Sequence, residues 1–159
     1  MYIEDEENKN QKETIVVPTN DYVFKRIFGH IGNEEITIDL LNSILSDNVN
    51  SINLDENPIL EKDLKDDKLG ILDIKATLNN NISCDIEMQV LETDNIIERI
   101  LFYWSKLYIK SIKEGQDYSA LKKTVCILIA KYNPKDTEKF DYFHTKWVIT
   151  NEKDSTKLL

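Results

Sequence analysis

Residues 69–90, LGILDIKATLNNNISCDIEMQV, decide the fold. Two apolar-rich runs flank Asn79, Asn80 and Asn81. Asn tolerates the left-handed backbone that a tight turn demands, so the stretch reads as a β-hairpin with a three-residue loop. Centring the loop on Asn80 sets Leu78 opposite Ile82, Ala76 opposite Cys84, Ile74 opposite Ile86 and Leu72 opposite Met88. These residues form an apolar face, because side chains alternate along a strand with period two. The other face pairs Thr77 with Ser83, Lys75 with Asp85, Asp73 with Glu87 and Ile71 with Gln89. Two carboxylates therefore oppose each other.

Like charges across an antiparallel pair are unfavourable, with facing Cβ atoms only about 4.5–5.5 Å apart. Asp73 and Glu87 call for a positive group between them. A divalent cation such as Mg²⁺ meets that need, since it binds one or two carboxylates and fills its octahedron with water and substrate phosphate. Solvation of both acids on an open sheet face, or neutralisation by a Lys, answers it as well. Register alone leaves these readings open.

Upstream, residues 1–15 carry the charge run EDEE and no apolar periodicity, which reads as a solvated acidic tail. A single domain is expected from residue 16 to residue 159. In TNDYVFKRIFG, Thr19 or Asn20 caps a short helix from about Asp21, with Tyr22, Val23, Ile27 and Phe28 inward and Gly29 or Gly32 as the stop. A second helix is expected after Asn33, running to about Leu45 with Ile36, Leu40, Leu41 and Ile44 at helical spacing. A weak extended segment follows around Ile52–Leu54. The charged run Leu60–Gly70 interleaves Asp63, Asp66 and Asp67 with Lys62, Lys65 and Lys68 and reads as a solvated approach to the hairpin.

Downstream, TDNIIERILFYWSKLYIKSIKEG is the clearest helix, capped by Thr93 or Asp94 and stopped by Gly115. Ile96, Ile97, Ile100, Leu101, Trp104, Leu107 and Tyr108 form its apolar stripe. Arg99, Tyr103, Lys106 and Lys110 share the opposite stripe, either solvated or presenting a cation and a phenol to a phosphodiester. Thr124–Tyr132, TVCILIAKY, reads as a central strand buried on both faces. A helix between it and the hairpin implies a crossover, hence a mixed sheet covered by helices. Another strand is expected at Lys146–Thr150, and the end at STKLL, with no closing element, suggests a truncated chain.

Composition narrows the function. A formal charge of -9 argues against a broadly basic nucleic-acid surface, so contact with a polyanion must be local or mediated by metal. No run is long enough to span a membrane, and the acidic N-terminus resembles no signal peptide. Cys84 and Cys126, both in expected strands, point to buried thiols and a cytoplasmic setting. His30 and His144 lie far apart without ligand-like partners, and structural or surface roles suit them. No phosphate loop, nucleophile elbow or HExxH is present.

The ordered set TNDYVFKRIFG, LLNSIL, LGILDIKA, CDIEMQV and ERILFYWSKLYIKSIKEGQDYSALKKTVCILI resembles the PD-(D/E)XK nuclease family transposases, the recombination-promoting nuclease group. The likeness covers roughly Pro18–Tyr132 and continues more weakly through FHTKWVI. It implies an α/β fold with a restriction-endonuclease-like αβββαβ core, its mixed sheet flanked by helices, and metal-dependent cleavage of DNA linked to recombination. By that resemblance Asp73 and Glu87 are the metal-binding acids. Gln89 takes the place where the wider superfamily usually has Lys. The expected catalytic residues are thus Asp73, Glu87 and Gln89, with Arg99, Tyr103, Asp21 and Lys25 in support.

The implied cofactor is Mg²⁺, with Mn²⁺ as substitute, and the implied partner is DNA, with a homodimer left open. A Lys at position 89 would bring charge to the attacking water and the phosphorane, whereas an amide only donates or accepts hydrogen bonds. Two alternatives accompany the endonuclease reading: a non-catalytic interaction domain that keeps the fold, and an RNA-directed nuclease.

Overall fold

The Asn loop sets the register of the sheet. In the computed structural model, which describes residues 17–60, 70–137 and 140–157, Ile74 pairs with Ile86, Lys75 with Asp85, Ala76 with Cys84, Thr77 with Ser83 and Leu78 with Ile82. Asn79 and Asn80 adopt φ of 47° and 64°, the left-handed conformation that Asn accepts more readily than most residues. Asn79 Oδ1 also accepts the N–H groups of Asn50 and Ser51, tying the turn to the neighbouring strand. The expected tail and residues 61–69 of the charged run lie outside the described residues.

In chain order the elements are α1 (Asp21–Phe28), α2 (Glu34–Ile44), β1 (Ile52–Leu54), β2 (Ile59–Leu60), β3 (Gly70–Ile71), β4 (Ile74–Leu78), β5 (Ile82–Gln89), α3 (Ile96–Lys110) and β6 (Lys123–Ala130), with two single-turn 3₁₀ segments. The main sheet has the order β1-β4-β5-β6. Its first two pairings are antiparallel and β5 with β6 is parallel, with α3 in the crossover. This is the αβββαβ mixed sheet with flanking helices, plus a small β2-β3 ribbon.

The apolar face of the hairpin packs under α1 and α2. Ile74, Ala76, Leu78, Cys84, Ile86 and Met88 join Phe24 and Leu41 in one core. At roughly 1.5–3 kcal/mol for each large apolar side chain removed from water, this layer fixes the sheet orientation. Asn20 caps α1 through Oδ1, and Gly29 ends it. A Cβ on Gly29 would lie 3.0 Å from Ile74 Cγ1, so glycine lets the end of α1 rest directly on the start of β4. Phe24 is the buried anchor of α1, while Tyr22, expected inside, is 74% exposed. On α2, Thr37 takes the interior place expected of Ile36, and its hydroxyl donates to Phe28 O.

Four expectations differ downstream. Leu72 and Ile71 do not oppose Met88 and Gln89. The backbone leaves the hairpin at Asp73, β3 pairs with β2, and Leu72 N–H donates to Pro58 O. Leu72 therefore sits in a second cluster with Leu60, Tyr103 and Leu107, on the face of the sheet under α3. The strand covered on both faces is β5, whereas β6 is an edge of the sheet, half-buried along most of its length. No strand forms at Lys146–Thr150, where an isolated bridge joins Thr150 to Lys157. Finally, α3 begins at Ile96 after Asn95, whose φ is 64°, and ends at Lys110, before Gly115.

The buried face of α3 draws on both stripes, with Ile96 and Leu107 from the apolar one and Tyr103 and Lys106 from the polar one. Tyr103 and Lys106 are 8% exposed, and Leu101, from the apolar stripe, is 59% exposed. Helical spacing tells which residues share a face but not which face meets the sheet. Here Tyr103 and Lys106 turn inward, and Arg99 reaches an acid of the sheet beneath.

Candidate active site

Asp85 and Glu87 project from β5 beneath α3, with exposures of 0% and 1%. An unpaired buried carboxylate is costly, so each needs a partner or a proton. Glu87 has partners: Arg99 Nη2 lies 2.9 Å from Oε2, and the backbone N–H of Asp73 donates to Oε1 at 3.0 Å. Asp73 returns the arrangement, accepting Met88 N–H on Oδ2 at 2.8 Å. The departure of the backbone from the hairpin at Asp73 makes this possible. The two acids lock together through main-chain donors instead of meeting side by side.

Cations reach the pair from both helical layers. Lys25, from α1, places Nζ 2.9 Å from Asp73 Oδ1 and 3.3 Å from Asp21. Arg99, from α3, also donates through Nε to Tyr103 Oη at 3.2 Å and approaches Gln89 Oε1 at 3.4 Å. Its guanidinium lies 5.3 Å from the centroid of the Tyr103 ring. Gln89 Nε2 donates to Leu91 O. The structure therefore brings Asp73, Glu87, Gln89, Arg99, Tyr103 and Lys25 together, and Asp21 joins only through Lys25.

Electrostatics reflect an excess of buried negative charge. Burial, reinforced by the charge of Asp73, raises the Glu87 pKa from its ordinary value despite Arg99. Burial opposes the charges on Lys25 and Arg99, but their acidic partners outweigh it and raise both pKa values. Burial, followed by the charge of Glu87, pushes Asp85 up to about 9. Neither oxygen of Asp85 meets a hydrogen-bond partner in good geometry among the described residues, and burial favours its neutral form. Lys75, opposite it in register, turns its ammonium to Asp55 at 2.6 Å.

Asp85 is the neighbour of the site that sequence reasoning passed over. Asp85 carried a signal, since it precedes Glu87 by two residues and so shares its face. Lys106 Nζ is buried without a hydrogen-bond partner among the described residues, 5.5 Å from the centroid of the Phe102 ring. Both thiols are free, and burial raises their pKa values well above the ordinary range. His144 is exposed. His30 is exposed as well, and it lines a cleft of ≈ 300 Å³ that also includes Lys25 and Asp73.

Residues 18–159 match the family model described as PD-(D/E)XK nuclease family transposase. The chain belongs to that family. No curated protein and no solved structure matches it. Membership places the chain among nucleases related to transposition, for which DNA is the implied substrate. PD-(D/E)XK nucleases typically use divalent metal ions. In this family member no group of three or more His, Cys, Asp or Glu side chains is placed to hold an ion, among the described residues. No described helix is long and apolar enough to cross a membrane.

Proposed function

We propose that the chain is a divalent-metal-dependent DNA endonuclease that uses Mg²⁺, with Mn²⁺ as a substitute, and that Asp73 and Glu87 are its metal-binding acids. The observation that carries this reading is the reciprocal locking of those two acids at one end of the sheet, between cations from opposite layers. The donor set suits a hard cation. Each carboxylate oxygen has two lone pairs, and one protein partner leaves a second available. The crowding that raises Glu87 is what a dication relieves.

A bound divalent ion supplies charge stabilisation to the phosphate and a lowered pKa to attacking water. The remaining work belongs to the protein. Arg99 holds a permanent positive charge between Glu87 and Gln89, where a scissile phosphate accumulates negative charge. Tyr103 fixes the guanidinium by hydrogen bond and by its ring. The Gln89 amide orients the attacking water. Water gives a proton to solvent as its oxygen bonds to phosphorus, the P–O ester bond breaks, and the leaving alkoxide takes up a proton from solvent.

Plasmid nicking in Mg²⁺ or Mn²⁺ tests the reading: the wild-type chain nicks, and the Asp73→Ala, Glu87→Ala double variant does not. Equal nicking by both rejects the assignment. One observation favours a non-catalytic binding domain instead, namely that all four carboxylate oxygens of the pair already have protein partners. Calorimetric titration separates the two readings, since in a binding domain neither acid variant changes the response to Mn²⁺. Parallel assays on DNA and RNA decide the substrate.

A further inference from the structure

The two cations at the acid pair are held very differently. Arg99 is anchored by Glu87, Gln89 and the Tyr103 hydroxyl, and packs against the Tyr103 ring. Lys25 makes its two ion pairs with carboxylates alone, and its side chain is 38% exposed. Asp73, at 11%, is also the more open acid, against 1% for Glu87. An ammonium is a point charge on a flexible stem, whereas a guanidinium is a rigid fork. A dication approaching from solvent therefore meets Lys25 and Asp73 first, and Lys25 is the partner that gives way.

The cleft beside Asp73 offers the displaced amine a destination. Its walls include the acids Asp55 and Glu56, and Lys25 and His30 are its basic members. Lys75 already pairs with Asp55, so a phosphodiester entering this cleft needs positive charge to offset Glu56 and its own approach to Asp73. Asp21, one helical turn from Lys25, keeps the amine near the cleft.

We propose that Lys25 is an exchangeable cation, which neutralises Asp73 in the metal-free protein and contacts the DNA phosphate once a divalent ion holds Asp73. This rests on the nuclease reading above. It gives Lys25 a phosphate-contacting role that complements the permanent charge of Arg99 and the neutral amide at position 89.

The test combines Mn²⁺ calorimetry with the salt dependence of duplex-DNA binding in Ca²⁺, on wild type, Lys25→Met and Lys25→Gln. With the competing ammonium removed, both variants bind Mn²⁺ about fivefold more tightly, in line with a partly exposed ion pair. They bind DNA more weakly, with the salt slope reduced by about one. Lys25→Arg restores the slope. Unchanged or weaker Mn²⁺ binding in folded variants overturns the exchange, as does an unchanged salt slope. If wild type still nicks plasmid in an Asp73- and Glu87-dependent way, the nuclease reading survives that result. Absence of both Mn²⁺ binding and nicking in wild type removes both.

Discussion

Arg99 Nη2 lies 2.9 Å from Oε2 of Glu87, a side chain that is only 1% exposed. The pair joins α3 to the central strand. Truncating one member of such a pair leaves the other charge in a low-dielectric setting without compensation. Arg99→Ala is therefore expected to lower unfolding free energy by about 1–3 kcal/mol, a range discounted for the partial exposure of Arg99. Urea denaturation measures this. Arg99→Lys recovers only part of the loss, because an ammonium cannot reproduce the fork or the ring contact.

Arg99 also bears on the amide at position 89. Arg99 approaches Gln89 Oε1 at 3.4 Å, so positive charge already occupies the neighbourhood. Single-turnover cleavage is expected to fall by about 10²–10³ in Arg99→Ala, the scale seen when a charge-stabilising donor is removed. Gln89→Ala is expected to cost less than Arg99→Ala, and Gln89→Lys to give no gain, because it sets a like charge against the guanidinium.

Asp85 sets a pH dependence on folding. Its pKa is pushed up to about 9 in the fold, against 3.8 ordinarily, so the native state holds a proton that the unfolded chain releases. The contribution is intact below pH about 4, declines as pH rises, and is gone above pH about 9. Wild type is expected to lose stability relative to Asp85→Asn, which does not titrate, as pH rises toward the folded pKa of Asp85. Paired urea melts at pH 6, 7 and 8 give the slope.

The burial of α3 makes a prediction at two leucines from its apolar stripe. Leu107 is buried against Leu60, Leu72 and Tyr103, whereas Leu101 is 59% exposed. Leu107→Ala is expected to cost about 2–5 kcal/mol and Leu101→Ala less than about 0.5 kcal/mol. Thermal melts of the two variants distinguish them.

The hairpin was legible because two independent signals agree: Asn79 and Asn80 supply the turn, and period-two alternation supplies the register. The same alternation carried past Asp73 gave the wrong partners for Leu72 and Ile71, since no residue there marks the exit of the backbone toward β2. The site residues were named from the ordered motifs, but their hydrogen bonding was not legible. Glu87 and Asp73 were expected to repel across the strand, and the break at Asp73 instead turns main-chain donors toward each carboxylate. For α3, Arg99, Tyr103 and Lys106 were correctly grouped on one stripe. Which residues of that stripe meet the sheet is a tertiary relationship that helical spacing does not contain. Likewise TVCILIAKY reads alike at an edge or at a centre, because apolar content does not report strand order.

The central claim is that Asp73 and Glu87 jointly hold a divalent ion. An anomalous difference map from crystals grown in saturating Mn²⁺ addresses it directly. The expected result is one peak within coordination distance of a carboxylate oxygen from each acid, with Lys25 moved off Asp73. A map with no peak there, and with Lys25 and Arg99 still seated on the two acids, contradicts the claim.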